Sequence, residues 1–366
     1  MRPKRSDKEK IFLWIFFPSV IILYLVYKFP TLFVPASQIS EIFYFFGKSP
    51  SFWYATIYTA IVCYFSLKII VLGTNPYRTS VKKPISTYQR AKFSSIFLSQ
   101  LIVFYLIPFI IPALQEGREF FNDPYYAVNK DAYVYVYNGF TSIGGLIYIF
   151  FIVPILAWLV GKRYCSWFCA CGNLSESVGV SKWGQQWVKN YTPRSKIALK
   201  FEWLQFVILI FALLYGLVLF LDAWQIFTST TLITAMYNFQ VFAIDFMFGA
   251  IIGIGAYPLL GTRIWCRYGC PLAQLMKLFG KFSLSQAKIK ANSKCRGIGE
   301  CSRVCPMGID VKSFAYFNKK PIEGIYGLSQ TPCISCGSCI SACPTQALEF
   351  KTIFSKKDID IRDNFK

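Results

Sequence analysis

The hydrophobic residues of the chain fall into six long runs separated by polar segments. The runs cover residues 11–29, 52–72, 93–114, 139–160, 201–221 and 241–260. Each run comes close to the roughly 20 residues that an α-helix needs to cross the hydrocarbon core of a bilayer. After Lys281 the sequence becomes polar and basic. The pattern predicts a membrane all-α six-helix bundle followed by a smaller C-terminal domain.

Basic residues are unequally distributed among the predicted loops. The chain has 39 Lys and Arg against 18 Asp and Glu, a net charge of +21, and a mean hydropathy of +0.42. Segment 1–10 and loops 73–92 and 161–200 are rich in Lys and Arg, and the alternate loops are poor in them. Loops with excess Lys and Arg stay on the cytoplasmic side. We therefore predict a multi-pass protein of the bacterial inner membrane with both termini cytoplasmic, and no nucleic-acid partner.

The chain contains no histidine but thirteen cysteines. Without histidine, we expect no haem, no His-bound zinc or copper and no Ser-His-Asp triad. Twelve of the cysteines follow position 164 in tight groups, unlike the scattered spacing of a secreted disulfide framework. The groups indicate metal bound by thiolates.

One cysteine pattern occurs twice, after the fourth and the sixth hydrophobic run. Residues 161–169 read GKRYCSWFC and residues 261–270 read GTRIWCRYGC. We predict a repeated helix pair whose second member brings a Cys-x3-Cys to the cytoplasmic surface, with both thiols on one helix face. The two copies together offer four thiolates to a further metal ion or iron–sulfur centre: Cys165, Cys169, Cys266 and Cys270.

The C-terminal segment contains the most specific motif of the chain. Residues 333–344 read CISCGSCISACP, which is the C-x2-C-x2-C-x3-C-P run of bacterial ferredoxins. A zinc ribbon would instead use two separated C-x2-C pairs. The motif therefore favours an iron–sulfur cluster over zinc.

An upstream copy of this motif lacks one cysteine. Residues 295–306 read CRGIGECSRVCP, and Ile298 stands where the second copy has Cys336. In two-cluster ferredoxins the fourth cysteine of each motif ligates the other cluster. Crossed ligation then gives one complete set of thiols, Cys305, Cys333, Cys336 and Cys339, and one incomplete set, Cys295, Cys301 and Cys343.

The two sets predict different cofactors. The complete set should hold a [4Fe–4S] cluster. The incomplete set fits either a [3Fe–4S] cluster or a [4Fe–4S] cluster with a further ligand. Glu300 and a thiol from the upstream Cys-x3-Cys group are the candidate ligands.

These features divide the chain into three predicted parts. Residues 1–92 form an N-terminal two-span region, and residues 93–280 form a four-span membrane domain with the two Cys-x3-Cys repeats. Residues 281–366 form a cytoplasmic α+β ferredoxin-like domain of the two-cluster bacterial type.

With these motifs the chain resembles the membrane-bound polyferredoxin family. The resemblance rests on residues 263–271, which read RIWCRYGCP, and on the ferredoxin motif pair with CPMGID at residues 305–310. The family includes the quinol-oxidising component of periplasmic nitrate reduction, the membrane half of the nitrous-oxide reductase regulatory flavoprotein and the cbb3 oxidase assembly ferredoxin. The nitrate-reduction type is the nearest of these.

The resemblance implies a membrane-anchored iron–sulfur protein that relays single electrons between the cytoplasmic face or the quinone pool and a membrane or periplasmic redox partner. Redox proteins, and also quinone, are the expected partners, within a larger complex. The alternative is a quinol-oxidising or metal-ion-reducing component that serves oxidase or reductase maturation. We expect an electron-transfer subunit of an oxidoreductase complex rather than a self-contained enzyme, and we assign no catalytic residue.

Overall fold

The structure is a computed structural model of the chain. It describes residues 5–35, 38, 42–46, 48, 50–73, 75–77, 84–111, 134–187, 192–194, 196–282, 288–328 and 330–351. Most of the loop between spans 3 and 4 lies outside these residues, as does the end of the chain from residue 352.

The described residues contain six helices that are long and apolar enough to cross a membrane, which confirms the predicted number. We call them spans 1 to 6: Asp7–Val26, Phe52–Leu72, Thr87–Ile110, Ile143–Val160, Lys196–Ala223 and Thr230–Gly255. Spans 3, 4 and 6 each contain a stretch with the wider π-helical hydrogen bonding: Ser99–Ile110, Tyr148–Ile152 and Gln240–Gly255.

Local sequence explains where some spans begin. Ser6 caps the first helix, Asp7–Lys28: its hydroxyl accepts a hydrogen bond from the backbone N–H of Glu9, and the Glu9 carboxylate accepts one from the N–H of Ser6. This reciprocal pair is a capping box. Ser86 caps span 3 by accepting a hydrogen bond from the N–H of Gln89. In the bundle, span 2 packs on span 3 and span 1 packs on span 6.

The chain turns back into the bundle after spans 4 and 6. Gly161 ends span 4 at φ +63° and Gly261 ends helix Tyr257–Leu260 at φ +95°, a region of backbone conformation that favours glycine. Short helical segments follow, Arg163–Trp167 and Trp265–Gly269, and then longer helices, Ala170–Ser177 and Pro271–Phe282. The second long helix packs against spans 4 and 5. The repeat seen in the sequence is therefore a repeat in structure.

The C-terminal segment combines short strands with short helices. The strands are β1 (Ile289–Ala291), β2 (Tyr316–Phe317), β3 (Lys320–Pro321), β4 (Ile325–Tyr326) and β5 (Leu348–Phe350). Strand β1 lies between β4 and β5 in an antiparallel sheet, with Ile289 opposite Tyr326 and Phe350, and β2 pairs with β3. Helices Glu300–Arg303 and Ser338–Ala342 each lie within a ferredoxin-type motif, and a 3-10 turn covers Val311–Phe314.

The C-terminal segment is docked on the membrane bundle through specific hydrogen bonds. Asn75 donates to the carbonyl of Ser341 at 2.9 Å, and Tyr88, at the start of span 3, donates to the carbonyl of Ser335 at 2.5 Å. The boundary predicted between residues 92 and 93 falls inside span 3. The first turns of this span thus belong to the docking surface as well as to the bundle.

Candidate iron–sulfur sites

The structure brings the complete set of ferredoxin-type cysteines together at one place in the C-terminal segment. Cys305, Cys333, Cys336 and Cys339 are all buried, and they lie close enough for their thiolate charges to interact. Cys305 comes from the upstream motif and the other three come from the downstream motif. The crossed grouping inferred from the sequence is therefore the spatial grouping. We call this set the tail quartet.

Hydrogen-bond donors surround the sulfurs of the tail quartet. The backbone N–H of Ser335 donates to Cys333 Sγ at 3.4 Å, Ser338 Oγ lies 3.1 Å from Cys336 Sγ, and Tyr326 Oη lies 3.2 Å from Cys339 Sγ. Hydrogen bonds to cluster sulfurs tune reduction potentials. The surroundings of the quartet therefore suit thiolate ligands as well as thiols.

Burial raises the pKa of the tail thiols. The pKa of Cys305 rises to about 11 and that of Cys333 to about 12, from an ordinary value of 9.0, because the buried thiolate loses hydration. Cysteine binds iron as the thiolate. Metal binding must therefore displace protons from these thiols. In this buried site a thiolate bound to a cationic metal core is more stable than an unbound thiolate.

The incomplete set also comes together, and it lies beside the second motif helix. Cys301 interacts electrostatically with Cys343 and Cys295, and the backbone N–H of Ala347 donates to Cys343 Sγ at 3.2 Å. We call this set the tail trio. Its local backbone copies that of the quartet, because Gly299 (φ +82°, ψ 6°) matches Gly337 (φ +74°, ψ 6°).

The residues considered as a fourth ligand of the tail trio differ in their placement. The Ile298 side chain is 57% exposed. Glu300 is buried, and one of its carboxylate oxygens pairs with Arg303. The other carboxylate oxygen has no hydrogen-bond partner within the described part of the chain. The four cysteines of the Cys-x3-Cys repeats interact with one another and form a group separate from the trio.

The four repeat cysteines form a third group, which we call the membrane quartet. Cys165 lies near Cys266 and Cys169, and Cys270 lies near all three of the others. The prediction that the two thiols of each Cys-x3-Cys lie on one helix face is wrong. Cys169 and Cys270 have extended backbone (ψ 130° and 116°), each just before a helix, whereas Cys165 and Cys266 lie inside the preceding short helical segments.

The membrane quartet lies inside the helix bundle. The sequence had predicted these thiols at the cytoplasmic surface. Tyr148, the sixth residue of span 4, is close to Cys165, Cys169 and Cys270. It is about 18 Å along the helix axis from the last residue of the span, Val160. The Phe168 ring packs on the Phe104 ring in span 3 at 5.7 Å. The turns at Gly161 and Gly261 place the thiols at this depth, because they send the chain back into the bundle.

Polar side chains from the spans satisfy the irregular backbone around the membrane quartet. Gln205 in span 5 donates to the carbonyls of Cys266 and Cys270 at 3.0 and 2.9 Å. Tyr58 in span 2 donates to the carbonyl of Ala170 at 2.7 Å. Non-helical backbone at membrane depth is tolerated only where protein groups or water satisfy it. The bundle is thus built to hold this cysteine loop inside it.

A buried ion cluster lies between the tail quartet and the membrane quartet. Glu176, on helix Ala170–Ser177, accepts hydrogen bonds from Lys92 Nζ at 2.7 Å and from Arg263 Nη2 at 2.6 Å, and all three side chains are almost fully buried. Arg263 Nη1 also donates to the carbonyl of Cys165 at 2.6 Å and lies 3.8 Å from Cys266 Sγ. We call the three charged residues the buried triad.

The buried triad also reaches the tail quartet. Lys92 Nζ lies 3.4 Å from the carbonyl oxygen of Cys336, and Gln89 donates to the same oxygen at 3.1 Å. Ser166, next to Cys165, donates to the carbonyl of Ile334, next to Cys333, at 2.8 Å. Hydrogen bonds therefore connect the two quartets without an intervening layer of solvent.

The geometry of the described residues does not provide a site for a single metal ion such as zinc. Within them, no three Cys, Asp or Glu side chains converge closely enough to hold one ion. A zinc ion would draw its thiolates to about 2.3 Å from one point. In a four-iron cluster each thiolate binds its own iron, which sets the sulfurs further apart. The donor chemistry of the thiols, four sulfurs in each quartet, fits iron–sulfur clusters.

The residues that connect the thiol groups carry little signal in the sequence. Lys92, Gln205 and Ser166 gave no sequence signal beyond their positions near span ends. Glu176 could have been noticed, because it and Glu202 are the acidic residues of the otherwise basic segment 161–202. Arg263 is part of the repeated Arg-containing pattern, but its partner on another helix could not be inferred from that pattern.

Comparisons with known proteins agree with this description. A family model described as a 4Fe-4S binding domain matches residues 329–349, which contain the downstream ferredoxin motif. A second model with the same description matches residues 143–189 and 242–292. These two ranges contain both Cys-x3-Cys copies. No solved structure matches the chain significantly.

Several curated proteins are similar to the chain. The uncharacterized protein MJ0749 of Methanocaldococcus jannaschii is 29% identical over 204 residues, which cover 54% of this chain and 68% of the relative. The ferredoxin-type protein NapH of Haemophilus influenzae is 25% identical over 234 residues, or 64% of this chain and 76% of NapH. The methylamine utilization ferredoxin-type protein MauN of Methylobacillus flagellatus is 24% identical over 152 residues, or 40% and 48%.

The fold, the thiol groups and these matches define a membrane electron-transfer protein with 4Fe-4S binding domains. The resemblance to membrane-bound polyferredoxins is confirmed by the similarity to ferredoxin-type proteins such as NapH and MauN.

Proposed function

We propose that the chain conducts single electrons between a [4Fe–4S] cluster held by the tail quartet and a second iron–sulfur centre held by the membrane quartet. From the membrane centre, electrons pass to or from a redox partner in or across the membrane. When bound, such clusters store and release one electron at a time. The protein holds them at a fixed separation and controls their surroundings.

The observation that carries this proposal is the buried connection between the two quartets. Lys92, Glu176 and Arg263 form one hydrogen-bonded group that touches the backbone of Cys336 on one side and that of Cys165 on the other. A rigid connection of this kind keeps two redox centres close together and excludes water between them. Both are conditions for electron transfer between clusters without loss to solvent.

The depth of the membrane quartet supports conduction across the bilayer. Its thiols lie within the bundle beside Tyr148 and Phe168, whereas the tail quartet lies against the start of span 3 and the end of helix Ala170–Ser177, where Gln89 and Glu176 lie. The two groups thus differ in depth. An electron that moves from one to the other moves partly across the membrane.

We further propose that the C-terminal segment is a ferredoxin-like α+β domain on the cytoplasmic side of the bacterial inner membrane. The segment contacts the loop after span 2 through Asn75 and the loop after span 4 through Arg194. Arg5, before span 1, donates to the carbonyl of Pro258, after span 6. These contacts support a position of both ends of the membrane region on the side with the basic loops, and the distribution of Lys and Arg supports a cytoplasmic location for that side.

The tail trio is proposed to hold a second tail cluster with three cysteine ligands. Because residue 298 occupies the backbone position of Cys336, the substitution Ile298→Cys offers a fourth thiolate there. If the native cluster is [3Fe–4S], Ile298→Cys should add about one iron per chain and replace the three-iron electron-spin resonance signal by a four-iron one. An unchanged iron content and spectrum would place residue 298 away from any cluster.

Partners follow from the same arrangement. We propose a redox protein on the cytoplasmic side, a membrane or periplasmic redox protein or quinone on the other side, and assembly of the chain into a larger complex. MauN and NapH are ferredoxin-type proteins by name, which supports an electron-transfer subunit rather than a self-contained enzyme.

Conduction can be tested with the full chain in sealed liposomes that contain trapped ferricyanide. A membrane-impermeant reductant is added outside, and the bleaching of ferricyanide is followed. Cys266→Ser should lower the rate at least tenfold, because it removes one ligand of the membrane centre. Cys63→Ser is the matched control, since Cys63 lies in span 2 outside the three thiol groups.

Equal rates for Cys266→Ser, Cys63→Ser and wild-type chains would contradict the proposed route. Loss of the rate with Cys333→Ser but not with Cys266→Ser would limit the role of the protein to its cytoplasmic clusters.

A further inference from the structure

Lys162 is a fully buried cation beside the membrane quartet. Its relative exposure is 0%, and its ammonium nitrogen has no hydrogen-bond partner among the residues that the structure describes. The ammonium lies close to Cys165, Cys266 and Cys270. A buried ammonium that is neither paired nor hydrogen-bonded is strongly unfavourable. Its position beside the thiols therefore calls for an anionic group close to it.

The other cations buried near the membrane quartet already have acidic partners. Lys92 and Arg263 share the carboxylate of Glu176, and Arg267 pairs with Glu202 at 2.9 Å. Both carboxylates are therefore engaged elsewhere. This leaves Lys162 without a side-chain anion in the described structure.

The two repeat copies differ at this position. Lys162 follows Gly161 as Thr262 follows Gly261, so the second copy has a neutral residue where the first has a cation. The next residues, Arg163 and Arg263, are present in both copies. Arg163 lies over the rings of Tyr88 and Phe350, at 5.7 and 5.4 Å from their centroids, and thus packs against the start of span 3 and strand β5. Only the first repeat copy therefore adds a buried positive charge at this position, and that charge is Lys162.

We propose that Lys162 is the charge partner of an anionic iron–sulfur cluster held by the membrane quartet, and that its ammonium raises the reduction potential of this cluster. The inference rests on the proposed function, because it needs a redox-active cluster at these four thiols. The inference goes beyond that function because it assigns to Lys162 a role in setting the reduction potential of the membrane-quartet cluster.

The physical basis is the charge that a cluster gains on reduction. Four thiolates outweigh the positive charge of a four-iron core, so the ligated cluster is an anion, and it takes on one further negative charge with each electron. A nearby cation stabilises the reduced form more than the oxidised form. The effect is large where burial keeps the effective dielectric constant low.

The test is a redox titration of the full-length chain, purified anaerobically and followed by electron-spin resonance. Lys162→Met removes the charge and keeps most of the side-chain volume. We expect one cluster to shift to a lower potential by at least a tenfold change in its reduction equilibrium, or about 59 mV for one electron. The tail clusters should keep their potentials, because Lys162 faces the membrane quartet.

Three further variants make the result specific. Lys162→Arg retains a cation and should restore most of the potential. Lys68→Met removes an exposed lysine of span 2 that lies over the Tyr64 ring, and should shift no cluster. Lys162→Gln replaces Lys162→Met if the latter fails to accumulate, because the amide can still donate hydrogen bonds while carrying no charge.

Each outcome decides the proposal. A selective negative shift in Lys162→Met or Lys162→Gln that is absent in Lys162→Arg supports it, as does loss of one cluster in the neutral variants alone. Unchanged potentials in a loaded Lys162→Met chain overturn it. Equal loss of iron in the Met, Gln and Arg variants also overturns it, because the role of Lys162 is then in packing.

The same measurements separate this proposal from the proposed function. If Cys266→Ser retains all the iron and all the resonance signals of the wild-type chain, the membrane quartet holds no cluster and the proposed function fails at that point. If Cys266→Ser loses a cluster but Lys162→Met does not alter its potential, only the role of Lys162 is rejected.

Discussion

The tail quartet and the membrane quartet offer the same four sulfur donors in very different surroundings. In the tail, dipolar groups point at the sulfurs: the N–H of Ser335 and the hydroxyls of Ser338 and Tyr326. In the bundle, full charges are nearby instead, chiefly Arg263, 3.8 Å from Cys266 Sγ, and the unpaired Lys162. The two regions therefore stabilise anionic sulfur by different physical means.

The difference follows from the elements that supply the ligands. Cys333 and Cys336 lie in a tight loop in which a backbone N–H and a serine hydroxyl are within reach of sulfur, and Cys339, in the helix that follows, is reached by the hydroxyl of Tyr326. The membrane quartet is surrounded mainly by helices and apolar side chains, and the backbone N–H of Ala273 donates to one of its sulfurs, Cys270 Sγ. Buried charges add to this stabilisation. Two buried cations, Arg263 and Lys162, lie beside the membrane quartet, whereas the tail quartet has Lys92 at the carbonyl of Cys336.

The largest expected effect is the selective loss of one centre. Cys333→Ser should remove about four iron atoms per chain from the tail and leave the membrane centre, and Cys266→Ser should do the reverse. Iron content and electron-spin resonance distinguish the two. If either variant removes both centres together, the quartets form a single unit and the contrast drawn above does not hold.

Breaking the buried triad should have the next largest effect, on the free energy of unfolding. Glu176→Gln leaves Lys92 and Arg263 buried without their anion, which costs about 3–5 kcal/mol. Thermal unfolding of the purified chain in detergent measures this loss. Glu349→Gln, at an exposed site on β5, is the matched control and should change stability by less than about 0.5 kcal/mol. A stable Glu176→Gln protein would show that the triad is not a structural link.

A smaller effect is expected from a single dipole in the tail. Tyr326→Phe removes the hydroxyl that lies 3.2 Å from Cys339 Sγ. A hydrogen bond of this kind contributes on the order of 1 kcal/mol, so the potential of one tail cluster should fall by about 40 mV. Redox titration is the measurement, and Tyr316→Phe is the control. If Tyr326→Phe shifts the potential of the membrane centre and not that of a tail cluster, the Tyr326 hydroxyl does not act on the tail cluster and the comparison above is wrong.

The smallest expected effect concerns the pH dependence of the cluster-free chain. Burial raises the pKa of Cys301 and Cys305 to about 11 and that of Cys333 to about 12, from 9.0. The folded thiols hold their protons more tightly than the unfolded ones. Their contribution is therefore complete below about pH 9 and is lost progressively as the pH rises from 9 to the folded pKa values of 11 to 12, at roughly 1 kcal/mol per pH unit for each thiol.

Unfolding of the cluster-free chain between pH 8 and pH 11 tests this dependence. The cluster-loaded chain should not show the same decline, because its ligands are already thiolates. Equal pH profiles for both forms would mean that the tail thiols do not control the stability of the cluster-free fold.

Much of the site could be predicted from the sequence because ferredoxin motifs are local. The spacing of Cys333, Cys336 and Cys339 within one loop fixes which sulfurs are neighbours, and the crossed position of Cys305 follows from the motif pair. The six spans were equally accessible, since apolar length alone decides whether a helix can cross a membrane. In both cases the information lies within about 20 residues of chain.

The placement of the membrane quartet could not be predicted in the same way. The i, i+4 spacing indicated one helix face, but the positive φ of Gly161 and Gly261 turns the chain back, and Cys169 and Cys270 are extended. Whether the loop can enter the bundle depends on Gln205 and Tyr58, which satisfy its carbonyls from other spans. Such partners are distant in sequence.

The sequence by itself determined the number of spans, the cysteine sets and the chemistry of their sulfurs, because each depends on residue type and short-range spacing. Only the tertiary structure decided how deep the membrane thiols lie, which charges surround them and how they connect to the tail. Lys92, Glu176 and Arg263 come from three separate segments, and they meet because a buried charge is tolerated only where folding brings its counter-charge alongside. The same requirement makes Lys162, which has no such partner in the described structure, a marker for an anion at the membrane quartet.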